Sequence, residues 1–157
     1  MARRSLIRCR VREAGQMQSD GNADMNLLFT YLSVALTFVA IDMVWLKIMV
    51  ERLYRPVLGD MLRGEPNLAA AAAFYLLYPI GLIWFAVLPA QQDGSALRAF
   101  TSGLMLGCFS YATYDLTNQA TLRNWSTGLT LADVFWGSFL AGVSAWIGFL
   151  VARKLAH

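Results

Sequence analysis

The chain has 157 residues, of which 57% are hydrophobic and only 15% are charged, and its formal net charge is +3. A soluble domain usually carries about 25% charged residues, so this composition argues against one and favours lipid as the solvent. The basic residues lie at the chain ends and in one loop, which suits a membrane surface and argues against nucleic-acid binding. The only histidine is His157, which excludes an HExxH metal site and a Ser-His-Asp triad.

The N-terminal segment, residues 1–24, differs in composition from everything after it. It contains five arginines and no apolar run that could serve as the core of a signal peptide. This composition predicts a disordered basic extension, followed by a membrane domain over residues 25–157. Two interpretations of the segment stay open: a basic cytoplasmic arm, or an extension that precedes a natural start at Met25.

Four apolar segments are long enough to cross the roughly 30 Å hydrocarbon layer of a bilayer, which takes about 20 helical residues. They cover about residues 26–50, 68–89, 97–118 and 129–152. Backbone groups in lipid find partners only within helices or closed barrels, and no barrel-like alternation is present. The sequence therefore predicts an all-α, integral membrane four-helix bundle, which would be a multi-pass protein. A GxxxG motif at Gly103 and Gly107 would permit close helix packing in the third span.

The loop between the first two spans has a helical pattern of its own. Its apolar residues recur on one helical face over about residues 53–63, with charged residues on the other face. Pro56 fits a first helical turn, and Gly64 with Pro66 forms a stop signal. The pattern predicts a short amphipathic helix that lies in the membrane interface.

Membrane orientation depends on the N-terminal segment. Its five arginines outweigh the four cations of the first loop, so the positive-inside rule gives opposite orientations with and without it. We expect the first loop to be cytoplasmic, because its four cations lie close to the span ends: Lys47, Arg52, Arg55 and Arg63.

Three aspartates fall within or near the spans: Asp42, Asp115 and Asp133. A charge at the bilayer centre costs about 2.5 to 3.5 kcal/mol on insertion scales, so each requires a reason. The first and third spans run in the same direction and the fourth runs back, which places all three on one side of the membrane. Their depths below the helix ends of that side are roughly 12, 5 and 6 Å.

Aromatic and polar residues share helical faces with these aspartates. Trp45 stands at i+3 from Asp42, and Trp136 at i+3 from Asp133. Two residues flank Asp115 on its face of the third span, and the second span contributes two tyrosines from the same half. The full candidate set for ligand binding is Asp42, Trp45, Tyr75, Tyr78, Tyr111, Asp115, Asn118, Asp133 and Trp136.

Several functions are compatible with this set. The leading interpretation is a polar pocket, open to one side, that binds or moves a small polar or amphiphilic ligand. A lipid-modifying enzyme with an aspartate as general base is one alternative, and a structural or partner-binding subunit is another. In a structural role, Asp115 and Asp133 would be wetted helix ends, Asp42 would pair with Arg55 or Arg123, and the tryptophans would only pack.

Metal chemistry has weaker support than ligand binding, because a metal-dependent lipid transferase would carry a denser acidic motif. The sequence predicts no metal and no cofactor. The expected partners are the lipid bilayer and a small polar or lipid-like ligand, without nucleic acid, and a homo-oligomer is left open.

Three stretches carry a resemblance to a known family. These are Asp-x-x-Trp in the first span with "FYLLYPIGLIWFAVLP" in the second, then "YATYDLTNQATLRNW", then "LADVFWG". Together they resemble the domain-of-unknown-function 2177 family of predicted bacterial membrane proteins, over about residues 26–152. The resemblance implies a small four-helix inner-membrane protein and brings no particular activity with it. The segment before Met25 departs from the family pattern.

Overall fold

A computed structural model describes the backbone of residues 2–156 and the side chains of residues 21–156. Four long helices dominate it, and no strand occurs among the described residues. They are α1 (Ala2–Met49), α2 (Leu68–Leu82), α3 (Ala96–Thr121) and α4 (Thr127–Leu155). The predicted all-α four-helix architecture is therefore confirmed. The bounds of α1 include the segment for which the sequence predicts disorder; the side chains of residues 1–20 lie outside the described part, and that prediction stays a prediction.

Three helical segments are long and apolar enough to cross a membrane: Gly21–Met61, Leu68–Asp93 and Thr127–Leu155. The helix α3 is 26 residues long but is less hydrophobic than α2 or α4. Its last turns contain Asp115 and the polar residues that follow it, which lowers its mean hydropathy. By length and hydropathy, the prediction of four apolar spans is thus met by three helices. The fourth, α3, packs along α4.

The first loop differs in one respect from its predicted form. The segment is helical, but it continues α1 without a break through a π-helical turn at Val50–Tyr54. An α-helical turn at Arg55–Leu58 and a 3₁₀ turn at Gly59–Met61 follow, and the chain becomes extended at Leu62. The predicted helix at 53–63 therefore exists as the bent end of the first helix, which we call the end segment, residues 50–61.

Proline explains where the helices widen. The π turn Val50–Tyr54 comes just before Pro56, and a second π turn, Ile83–Val87, comes just before Pro89. A proline ring clashes with the carbonyl four residues earlier and cannot donate to it. A wider turn at that position relieves the clash and lets the helix continue. The second π turn carries α2 onward as a helix through Asp93.

Side-chain caps set the helix boundaries on both sides of the bundle. Asn67, Ser95 and Ser126 each accept a hydrogen bond from a backbone N–H in the first turn of α2, α3 and α4. Gly94 ends the continuation of α2 with φ of 64°, a conformation that favours glycine. The turn between α2 and α3 is therefore tight, and the two helices are antiparallel neighbours.

Glycines bring α3 and α4 into close contact. A Cβ added at Gly103 would lie 2.7 Å from the carbonyl oxygen of Ala141, and one at Gly107 would lie 2.4 Å from that of Gly137. Such backbone approach is what small residues permit in membrane helix pairs. The GxxxG motif thus lies in the α3–α4 interface.

The outer surface and the interior have opposite character. Large apolar side chains are exposed around the outside, among them Leu36 (68%), Leu77 (66%) and Phe135 (75%). The interior combines an apolar core around Phe38 and Phe149 with buried carboxylates. Exposed apolar area on this scale indicates contact with lipid rather than water.

Candidate functional site at one end of the bundle

The three aspartates are buried at the same end of the helical bundle. Asp42 lies near the end of α1, Asp115 near the end of α3 and Asp133 near the start of α4. Their exposed fractions are 6%, 0% and 6%. We call these residues, with the aromatic side chains that contact them, the aspartate cluster.

Asp42 links three helices through its two carboxylate oxygens. The Tyr75 hydroxyl on α2 donates to Oδ2 at 2.7 Å. The Trp136 indole N–H on α4 donates to Oδ1 at 3.1 Å. Both donors are neutral, so Asp42 gains hydrogen bonds but no opposite charge from them.

Asp133 is joined to the end segment through Tyr54. The Tyr54 hydroxyl donates to Asp133 Oδ1 at 2.5 Å and accepts from the Trp45 indole N–H at 3.0 Å. The Trp45 ring stacks on the Trp136 ring, with centroids 4.4 Å apart and planes inclined by 9°. The stack connects the hydrogen bonds of Asp42 with those of Asp133.

Tyr54 is a site residue that sequence reasoning missed. Tyr54 belongs to the apolar face of the predicted interfacial helix, and helical spacing from the three aspartates does not indicate it. In a straight α-helix, Tyr54 would lie about 13 Å along the axis from Trp45 and on the opposite face. The π turn bends the helix and brings the two side chains together. The signal in the sequence was a hydroxyl-bearing aromatic residue in the segment predicted to cover this end of the bundle.

Asp115 has a different environment from the other two aspartates. It is fully buried, and neither of its carboxylate oxygens has a hydrogen-bond partner among the described residues. Asp133, on the neighbouring helix α4, is buried at the same end of the bundle. A buried carboxylate without donors is costly, since nothing replaces the water it has lost.

The arginines expected as structural partners do not fill that role in the described part of the chain. Arg55 forms an exposed ion pair with Glu51 at 3.0 Å, four residues earlier. The other described ion pair joins Arg98 to Asp93 at the opposite end of the bundle. Arg123 is exposed at the α3–α4 turn. The alternative in which Asp42 pairs with Arg55 or Arg123 is therefore wrong, because the end segment directs Arg55 outward along its own helix.

The remaining candidates lie around the cluster with varying contact to it. The Tyr111 ring packs directly on Gly137, where an added Cβ would lie 2.1 Å from a ring carbon. The Tyr78 hydroxyl is buried without a partner among the described residues. Asn118 is partly exposed on the last turn of α3, and the described hydrogen bonds of the cluster do not include its carboxamide.

Gln119, rather than Asn118, links the polar run that ends α3 to α4 by side-chain hydrogen bonds. Its carboxamide donates to Thr127 Oγ1 at 2.9 Å and accepts from Thr130 Oγ1 at 2.8 Å. The Trp125 indole N–H also donates to Thr130 Oγ1, at 3.0 Å. This second network joins the last turns of α3 to the first turns of α4 across the α3–α4 turn.

Four surface grooves of about 380 to 460 Å³ are present in the described part of the chain, and none of these four is lined by any of the three aspartates. One groove between α2 and α3 includes Tyr78, together with Phe74, Gly81 and Ser110. None of these four grooves is therefore the one-sided polar pocket that the sequence predicts.

Comparison with known proteins gives one family match. Residues 27–150 match the family described as "Predicted membrane protein (DUF2177)", which covers well over half of the chain. No curated protein matches the chain, and no solved structure matches it.

Proposed function

The chain belongs to the DUF2177 family of predicted membrane proteins, and we propose that it binds a small polar or amphiphilic ligand at the aspartate cluster, in the bacterial inner membrane. The cluster contains three carboxylates within a membrane bundle, at one end and beneath the end segment. Ionisable residues inside membrane proteins usually mark a ligand, ion or proton site.

The proposal rests on one observation, the burial of Asp115 without a described hydrogen-bond partner. Folding alone gives no reason to keep a fully buried carboxylate that has no described hydrogen-bond partner. Buried polar groups in native proteins are nearly always satisfied, and exceptions call for a specific explanation. A ligand that donates to Asp115 would provide that explanation.

A structural role is the second candidate, and the closed network around Asp42 and Asp133 favours it. Tyr54 and Trp45 join the end segment to α4, and Tyr75 joins α2 to Asp42. These contacts would hold the end segment on the bundle without any ligand. These contacts do not involve Asp115. Substitution of Asp115 should therefore affect ligand binding without breaking the structural network around Asp42 and Asp133.

Native mass spectrometry of the purified protein, released from detergent, tests the ligand proposal. We expect wild type and Asp60→Asn to retain the same small-molecule adduct, because Asp60 is exposed in the end segment. Asp115→Asn should lose it. Bare protein in all three samples, or the same adduct on all three, would favour the structural role. A lipid-modifying enzyme, the remaining alternative, would instead convert a supplied lipid to a product of different mass.

A further inference from the structure

The aspartate cluster is rich in acceptors and lacks a cationic partner among the described residues. Asp42 receives a phenol and an indole donor, and Asp133 receives a phenol donor. The described ion pairs use Glu51 and Asp93 instead. Among residues 21–156, the three carboxylates thus share one end of the bundle with neutral donors only.

Resting on the ligand site proposed above, we propose that the ligand carries a protonated primary amine, whose ammonium group donates to Asp115. An ammonium group supplies three N–H donors and one positive charge. It can therefore satisfy both oxygens of Asp115 and add a positive charge at the end of the bundle that also holds Asp42 and Asp133. Hydrogen bonds between two ionised groups are also stronger than neutral ones.

Other ligand chemistries fit Asp115 less well. A quaternary ammonium group has the charge but no N–H donor, and a neutral alcohol has a donor but no charge. A divalent cation requires several oxygen ligands around one point. The described residues contain no group of three or more His, Cys, Asp or Glu side chains so arranged.

The surroundings of Asp115 also suit an amine that bears an apolar part. Tyr114 and Leu116, its neighbours on α3, are 61% and 56% exposed on the outer surface. The stacked pair Trp45 and Trp136 adds apolar surface to the cluster from α1 and α4. The amine could come from a free small molecule or from a lipid headgroup, and the experiment distinguishes these sources.

The experiment compares matched probes on the full-length protein in detergent by thermal unfolding. Ethanolamine carries a primary ammonium group, choline is its N-trimethyl form, and ethane-1,2-diol has a similar shape without charge. At a concentration about 100-fold above its Kd, ethanolamine should raise the melting temperature of wild type by roughly 5 to 10 °C. Choline and the diol should raise it by far less.

The lipid source is tested with the protein in nanodiscs of phosphatidylethanolamine or phosphatidylcholine. If the amine belongs to a headgroup, wild type should melt higher in phosphatidylethanolamine, even where free ethanolamine has no effect. Either preference for the primary amine supports the proposal. Equal melting temperatures with primary and quaternary amines in both formats would overturn it.

Variants locate the effect at Asp115. Asp60→Asn should keep the amine preference of wild type, and Asp115→Asn should bind the amine about tenfold or more weakly. An unchanged preference in Asp115→Asn would overturn the proposal. If Asp115→Asn fails to fold, Asp115→Glu replaces it in the test, because glutamate retains the carboxylate. Asp115→Glu should keep the amine preference, and loss of that preference in Asp115→Glu would contradict the proposal. If mass spectra show a neutral adduct and no amine preference is measured, the amine proposal is wrong, but the proposal of a ligand site at Asp115 is still supported.

Discussion

Trp45 and Trp136 lie face to face with ring centroids 4.4 Å apart, and each donates its indole N–H to a different acceptor. Trp45 donates to the Tyr54 hydroxyl, and Trp136 donates to Asp42. The stack therefore couples the two hydrogen-bonded aspartates, which lie on different helices. Because Tyr54 belongs to the end segment, the same contacts connect the end segment to the interior of the bundle.

Asp42→Leu should destabilise the protein strongly. The substitution leaves the Tyr75 hydroxyl and the Trp136 N–H without their acceptor inside the bundle. A donor orphaned away from water costs about 1 to 3 kcal/mol, so the loss of two should lower the free energy of unfolding by about 2 to 6 kcal/mol. Denaturant titration in detergent micelles measures it.

Asp60→Leu is the matched control for that variant, because Asp60 is exposed. Its effect should stay within about 0.5 kcal/mol, as for ordinary surface substitutions. Similar stability of Asp42→Leu and Asp60→Leu would show that the hydrogen bonds of Asp42 do not hold the helices together.

Tyr54→Phe should loosen the end segment while leaving the four helices assembled. The change removes the donor to Asp133 and the acceptor of the Trp45 N–H. We expect proteolysis within Arg55–Met61 to become faster, because these contacts hold the segment on the bundle.

A double-mutant cycle of Tyr54→Phe with Asp133→Asn provides the quantitative check. The two residues share a hydrogen bond, so their stability effects should be non-additive by about 0.5 kcal/mol or more. Strict additivity, with unchanged proteolysis in Tyr54→Phe, would mean that this contact is absent in the membrane.

Gly107→Ala should separate α3 from α4 and lower stability. The added Cβ would lie 2.4 Å from the Gly137 carbonyl oxygen and 2.9 Å from the Ser138 Cα, both of them backbone atoms. Overpacking of this kind costs about 1 to 3 kcal/mol. Thermal unfolding of the purified variant should show the loss.

Gly81→Ala is the control, since Gly81 lies within α2 and a Cβ there meets no atom within 4 Å. Alanine at that position should be neutral or stabilising by up to about 1 kcal/mol, from helix propensity alone. An equal loss in both variants would point to a general effect of alanine rather than to close packing of α3 on α4.

The helices were predictable because each has a local signal. Apolar length marks the spans, and the side chains of Asn67, Ser95 and Ser126 mark where α2, α3 and α4 begin. The burial of Asp42, Asp115 and Asp133 at one end followed from span direction and from the cost of a charge in lipid.

The partners within the cluster were not predictable to the same degree. The contact between Trp45 and Tyr54 depends on a π turn, and the π turn depends on how the chain accommodates Pro56. Helical spacing alone would have separated these residues. Likewise, Gln119 and Asn118 have similar chemistry, and only the fold of the α3–α4 turn decides that Gln119 bonds to Thr130.

Asp115→Leu should not destabilise the ligand-free protein. Neither oxygen of Asp115 has a hydrogen-bond donor among the described residues. Leucine removes a costly buried carboxylate and orphans no described donor. Replacing buried charge with an apolar side chain of similar volume is often neutral or stabilising.

The most direct measurement is therefore the unfolding free energy of the ligand-free protein, for wild type, Asp115→Asn and Asp115→Leu under identical detergent conditions. If Asp115 is kept for a ligand, both variants should be at least as stable as wild type, and Asp115→Leu should be more stable by about 1 kcal/mol or more. A loss of about 1 kcal/mol or more in both variants would contradict the ligand site, because it would show that Asp115 already has its partners within the protein.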